Sequence, residues 1–199
     1  MNSYRRPLAI VFAAVGWFAL IAQCWLMLDS RVEPVAETIV RFFSFFTILT
    51  NTMVALFFTL QAVGKSKVKT GTLTAITIYI TVVGLVYHVI LRQLWTPTGL
   101  QQVVDELLHS VVPVLTIGYW YRYEDRHNVS FTQITMGLVF PLVYLVYILI
   151  RGFFSGFYPY PFVDVSVLGF ANVMSNAVGL VILFTLLAFV YVYIGRKLR

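Results

Sequence analysis

Charge is what this sequence has least of. Only 11% of its 199 residues are Asp, Glu, Lys or Arg, against about 25% in a soluble domain. That scarcity excludes a water-soluble globular fold, and a hydrophobic share of 60% with a mean hydropathy of +0.86 points to the bilayer interior instead. Cysteine is almost missing as well. Cys24 stands alone, so no intrachain disulfide can form and sulfur chemistry says nothing about the redox compartment. The chain also lacks low-complexity stretches, internal repeats and any loop long enough for a soluble domain. The net charge of +6 would suggest nucleic acid in a soluble protein. Here the basic residues fall at helix ends, where anionic headgroups are their partners, so the expected partners are the membrane and its lipids and not a nucleic acid.

What is present is a series of apolar runs. A helix crossing the hydrocarbon core needs roughly 20 mostly apolar residues, and such runs lie near residues 8–28, 38–63, 71–91, 105–121, 132–150 and 166–195. They predict an all-α, polytopic membrane protein: a six-transmembrane-helix bundle forming one domain over residues 1–199. The first run is longer than a signal-peptide core and leads into Asp29-Ser30-Arg31 with no small-residue cleavage site, so it reads as a retained span. The second and sixth exceed the hydrocarbon thickness and are expected to tilt. One set of borders carries Arg5, Arg6, Lys65, Lys67, Lys69, Arg122, Arg126, Arg196, Lys197 and Arg199. The other carries only Arg31, Arg41, Arg92 and Arg151. Lys and Arg are retained on the cytoplasmic side during insertion, which places both chain ends inside. Pro113 and Pro141 predict kinks in mid-span. The stretch from Gly152 to Val165, with Gly156, Pro159 and Pro161, reads as an irregular outer cap.

An ionisable residue within a span is costly unless it faces the bundle interior or finds a partner, which makes each one a functional candidate. Arg41, Ser44 and Thr47 on the second run, His88 and Arg92 on the third, Asp105 and His109 on the fourth, Tyr147 and Arg151 on the fifth, and Asp164 and Asn172 at the sixth all fall toward the outer side. Five helices contributing polar groups at one depth predict a single site opening outward, while the inner half reads as apolar scaffold. Asp105 and His109 are four apart and share a helix face, the spacing at which a carboxylate orients an imidazole. Ser44 and Thr47 are hydroxyls at similar depth, and either is a candidate nucleophile. Arg41 is a candidate for an oxyanion or a substrate carboxylate. The structural alternatives are ordinary ones: Ser and Thr bonding the carbonyl one turn back, Arg92 and Arg151 snorkelling, and Asn51, Asn172 and Asn176 bridging helices.

Four segments carry a resemblance. They are Arg41-Phe42-Phe43-Ser44-Phe45-Phe46-Thr47-Ile48-Leu49-Thr50-Asn51; Tyr87-His88 with Arg92; Asp105-Glu106-Leu107-Leu108-His109-Ser110-Val111-Val112-Pro113; and Tyr158-Pro159-Tyr160-Pro161-Phe162-Val163-Asp164. In that order they resemble a bacterial six-helix membrane family similar to the eukaryotic androgen-induced-gene hydrolases, a group that includes the androgen-dependent regulator of tissue factor pathway inhibitor. The resemblance implies a bacterial inner-membrane location. It also implies hydrolysis of fatty acid esters by an intramembrane hydroxyl and histidine, with Ser44 in the place of the family's threonine and His109 in that of its histidine. The His109-to-Pro113 spacing is one residue shorter than the eukaryotic pattern, and Thr47 is a competing hydroxyl.

These readings predict an intramembrane lipid-ester hydrolase. Ser44 or Thr47 is the nucleophile, His109 the base oriented by Asp105, and Arg41, His88, Arg151, Tyr147, Asn51 and Asn172 line the substrate site. No metal or cofactor is required. Two other classes fit some of the same residues. One is a b-type haem electron carrier ligated by His88 and His109. The other is a non-enzymatic lipid-binding or transport protein; the apolar inner half and the absence of repeats weigh against transport but not against simple lipid binding.

Overall fold

The computed structural model describes residues 4–64 and 68–197. Lys65, Lys67 and Arg199, three of the basic residues behind the expected orientation, lie outside the described residues. Among those described, every regular element is helical. Four helical segments are long and apolar enough to cross a membrane: Arg5–Asp29, Thr72–Gln93, Phe131–Ser155 and Phe170–Lys197. A bent pair, Val35–Phe42 with Phe46–Ala62, makes a fifth if counted as one span. The protein is therefore an all-helical chain with four to five candidate spans, and it divides into two compact units, Met1–Asn128 and Val129–Arg199.

The first unit contains α1 (Arg5–Asp29), α2 (Val35–Phe42), α3 (Phe46–Ala62), α4 (Thr72–Val89), α5 (Gly99–Glu106) and α6 (Val112–Tyr123). Its central contact is α1 on α3. Ala9, Ala13, Gly16 and Ala19 recur at three- and four-residue spacing and are buried, the small-residue stripe that lets two helices approach in lipid, where hydrophobicity alone does not drive association. A Cβ added to Gly16 would stand 3.3 Å from that of Ala55. Trp17 Nε1 donates to Thr59 Oγ1 at 3.0 Å and pins the same pair. Ala19, Leu20, Phe42, Ile48, Ala55, Val104 and Leu108 close the core around them.

Two expected spans are broken in this unit. The run 38–63 is not one tilted helix, because α2 and α3 meet at 72° around residues 43–45. No proline or glycine stands there. Instead the Ser44 hydroxyl donates to Val40 O at 2.6 Å and Ser44 N to Arg41 O at 3.0 Å, local bonds that compete with the helical register and end α2. The run 105–121 begins earlier, at Gly99, and carries a π-helical turn, Leu107–Val111, between α5 and α6. Val112 N bonds Leu107 O, one residue further back than in an α-helix. In that register the carbonyl of Leu108 faces Pro113, which has no N–H to give.

The second unit contains α7 (Phe131–Gly137), α8 (Val139–Ser155), α9 (Val165–Leu168) and α10 (Phe170–Lys197). α7 opens with a capping box in which Ser130 and Gln133 satisfy each other's backbone N–H. The irregular stretch expected from Gly152 starts later, since α8 continues to Ser155 and Gly152 is helical. That glycine serves packing: a Cβ there would fall 2.0 Å from the Tyr158 ring, which folds back onto it. Asp164 then caps α9 through Ser166 N and Val167 N. Phe153, Phe154, Val167 and Phe170 are largely exposed, as lipid-facing side chains are in a bilayer.

Candidate active site

Three side chains converge on His109, which the π turn presents. His109 Nδ1 lies 2.9 Å from Asp105 O and 3.2 Å from Asp105 Oδ1. Two acceptors at one nitrogen require its proton to sit there, so the neutral ring keeps its lone pair on Nε2. That nitrogen faces Thr47 Oγ1 at 3.4 Å. Asp105 is fixed from its other oxygen, because the Tyr87 hydroxyl donates to Oδ2 at 2.5 Å. The Tyr87 ring also stacks on His109, with centroids 4.2 Å apart and planes 12° from parallel. Thr47, Tyr87 and Asp105 are all buried, and His109 is nearly so, its side chain 12% exposed.

Asn51 holds the two halves of this arrangement together. Its Nδ2 donates to Thr47 O at 2.9 Å and to Leu108 O at 3.2 Å. The second acceptor is the carbonyl that Pro113 leaves without a donor, so the amide repairs the π turn from a neighbouring helix. Truncating it would strand a buried carbonyl at a cost of about 1–3 kcal/mol. Asn51 Oδ1 and Thr50 Oγ1 are buried with no hydrogen-bond partner among the described residues. Gly84 permits the close approach of α4, since a Cβ there would stand 3.2 Å from His109 O.

A second, exposed set lies one residue along. Arg92 Nη1 meets His88 Nδ1 at 3.1 Å and Arg92 Nη2 donates to Glu106 Oε1 at 2.6 Å. Ser110 Oγ donates to Glu106 Oε2 at 2.5 Å and lies 3.1 Å from His88 Nε2. A guanidinium only donates, so His88 Nδ1 is the acceptor and Nε2 carries the proton. His88 thus gives a proton to the Ser110 oxygen and cannot take one from it. Its Nε2 and that of His109 turn to different partners, one to Ser110 and the other to Thr47.

The other expected residues have local roles. Arg41 is ion-paired with Glu37 on α2 at 2.8 Å and with Glu33, just before the helix, at 2.9 Å. Ser44 is fully buried with its hydroxyl on Val40 O. Three belong to the second unit. Arg151 Nη1 donates to Ser155 Oγ at 3.3 Å and Phe157 O at 3.4 Å, its guanidinium 4.7 Å from the Phe157 ring. Tyr147 stands on an exposed face of α8. Asn172 Nδ2 donates to Leu168 O at 2.8 Å. The reading from sequence missed Tyr87, Glu106 and Ser110, although each adjoins a residue it singled out. Among the described residues no group of three or more His, Cys, Asp or Glu side chains is arranged to hold a metal ion. No family model matches the chain, and neither a curated protein nor a solved structure matches it.

Proposed function

We propose that the protein is an intramembrane hydrolase of lipid esters that uses Thr47 as nucleophile and His109 as base. The observation that carries this reading is the chain Thr47 Oγ1, His109 Nε2, His109 Nδ1, Asp105, in which the tautomer leaves the lone pair facing the hydroxyl. The 3.4 Å spacing exceeds a productive nucleophile–base bond of about 2.6–3.2 Å, as apo sites often do. Ser44, the alternative nucleophile, is the weaker candidate because its hydroxyl is turned to Val40 O, whereas that of Thr47 faces His109 Nε2.

In the first step Thr47 Oγ attacks the acyl carbonyl carbon while its proton passes to His109 Nε2, and Asp105 stabilises the imidazolium. Collapse of the tetrahedral adduct breaks the ester C–O bond, and His109 returns the proton to the departing alcohol oxygen. Water then attacks the acyl-threonine by the same route and releases the fatty acid. Thr47 lies in the first turn of α3, so the positive end of the helix dipole sits where negative charge develops on the carbonyl oxygen. A nucleophile buried between apolar spans favours a substrate that arrives through the bilayer, and the resemblance to fatty-ester hydrolases implies the same class.

The topology belongs to the same proposal. Counting the bent α2–α3 pair as one span and α5 through α6 as another, the chain crosses six times with both ends in the cytoplasm of a bacterial inner membrane. The preference of Lys and Arg for one set of borders supports it. The test is hydrolysis of a fluorogenic fatty acyl ester by the purified chain in nanodiscs. Thr47→Ala and His109→Ala each lower the rate about 10³-fold or more, and Thr47→Ser retains activity and labelling by a fluorophosphonate probe. Unchanged hydrolysis in both alanine variants would rule out the mechanism.

A further inference from the structure

The N-termini of α1 and α4 and the C-termini of α3 and α6 meet at the other end of the first unit, which the sequence reads as scaffold. They surround a cleft of about 40 Å³. Phe57 and Leu73, both buried, and Val68 are its apolar lining, and Arg5, Gln61, Lys69, Tyr123 and Glu124 contribute its polar groups. A volume this small excludes a whole metabolite, for which pockets of about 300 Å³ or more are usual, but it admits one headgroup.

Arg5, Lys69 and the Gln61 amide bring donors to this cleft. Gln61 is 5% exposed, yet its Nε2 has no hydrogen-bond partner among the described residues. An unpaired buried amide is costly, and Gln61 is part of the cleft wall. The Arg5 guanidinium uses Nε for the Tyr119 hydroxyl at 3.3 Å, which leaves its two terminal nitrogens. Neither Arg5 nor Lys69 forms an ion pair among the described residues. The one carboxylate in the wall, Glu124, is turned to another task. Its Oε2 accepts from Thr74 N at 3.0 Å and Thr74 Oγ1 at 3.3 Å, and Trp120 Nε1 donates to that same hydroxyl at 2.9 Å, so it caps the first turn of α4.

We propose that this cleft binds a phosphate group, gripped by Arg5, Lys69 and the Gln61 amide. Arg5 on α1, Gln61 on α3 and Lys69 in the segment before α4 line the same cleft, and donors from three separate elements suit a tetrahedral oxyanion with three or more acceptor oxygens better than a planar carboxylate. The cleft lies at the ends of candidate membrane spans, the level of lipid headgroups, so the phosphate comes either from an anionic phospholipid or from solution. The proposal stands independently of the hydrolase reading.

The full chain, purified in a neutral detergent, is titrated with phosphatidylglycerol, with phosphatidylcholine and with inorganic phosphate, and binding is followed by tryptophan fluorescence and by native mass spectrometry. Saturable binding of phosphatidylglycerol in preference to phosphatidylcholine identifies a headgroup site; saturable binding of inorganic phosphate identifies a soluble ligand. In either case Lys69→Gln and Gln61→Leu each weaken binding about tenfold, the equivalent of one charge-assisted hydrogen bond. Lys69 is exposed, so its variant folds even if the buried substitution does not. Binding of phosphatidylglycerol no tighter than that of phosphatidylcholine together with no binding of inorganic phosphate, or affinity unchanged in Lys69→Gln, overturns the proposal.

Discussion

Two hydrogen-bond networks share the same two stretches of helix, one residue out of step. Tyr87, Asp105 and His109 form the buried network; His88, Glu106 and Ser110 form the exposed one, with Arg92 closing it into a ring. Neighbouring residues on a helix point about 100° apart, so three adjacent pairs divide between the interior and the surface. The chemistry then diverges. Asp105 accepts from His109 Nδ1 and leaves Nε2 basic toward Thr47, whereas Arg92 donates to His88 Nδ1 and leaves Nε2 protonated toward Ser110. A histidine beside a hydroxyl is therefore not by itself a nucleophile–base pair, because the partner of the other ring nitrogen decides which way the proton moves.

Exchanging the two histidines for alanine breaks the comparison most sharply. His109→Ala is expected to lower ester hydrolysis about 10³-fold or more and His88→Ala by less than about threefold, measured as kcat on the fluorogenic ester; equal losses would make the two networks equivalent. Asp105→Asn comes next. It removes the carboxylate that stabilises the imidazolium, with an expected loss of about 10²-fold in kcat and little change in KM. Tyr87→Phe keeps the stacked ring but strips the donor from a buried carboxylate. It should lower stability by about 1–3 kcal/mol, visible as a reduced melting temperature. Gly84→Val tests the approach of α4 to the π turn and should cost a similar or smaller amount through overpacking against His109 O. Arg92→Gln is the mildest. Its ion pair with Glu106 is about half exposed on the arginine side, so the loss is at most about 1 kcal/mol and shrinks in high salt.

What could be read from the sequence was what is local. Asp105 and His109 meet because four residues are one helical turn, and the same spacing joins Arg41 to Glu37. Arg41 also meets Glu33, which lies just before α2. The break between α2 and α3 had no such signal, since residues 42–45 read as an apolar helix and the back-bonding of Ser44 shows only in the structure. The π turn was half legible: Pro113 announces a missing donor, but the remedy, Asn51, is 57 residues from the carbonyl it serves.

The sequence by itself determined that this chain is helical with segments apolar and long enough to cross a membrane, because scarce charge and long apolar runs act residue by residue and need no partner. It also set the Asp105–His109 pairing, through helix geometry alone. Only the tertiary structure decided which hydroxyl faces His109, which tautomer each histidine holds, and that Arg5, Gln61 and Lys69 line one cleft. Those depend on which helices lie side by side and at what angle. Atoms dozens of residues apart set that packing, and no local pattern records it.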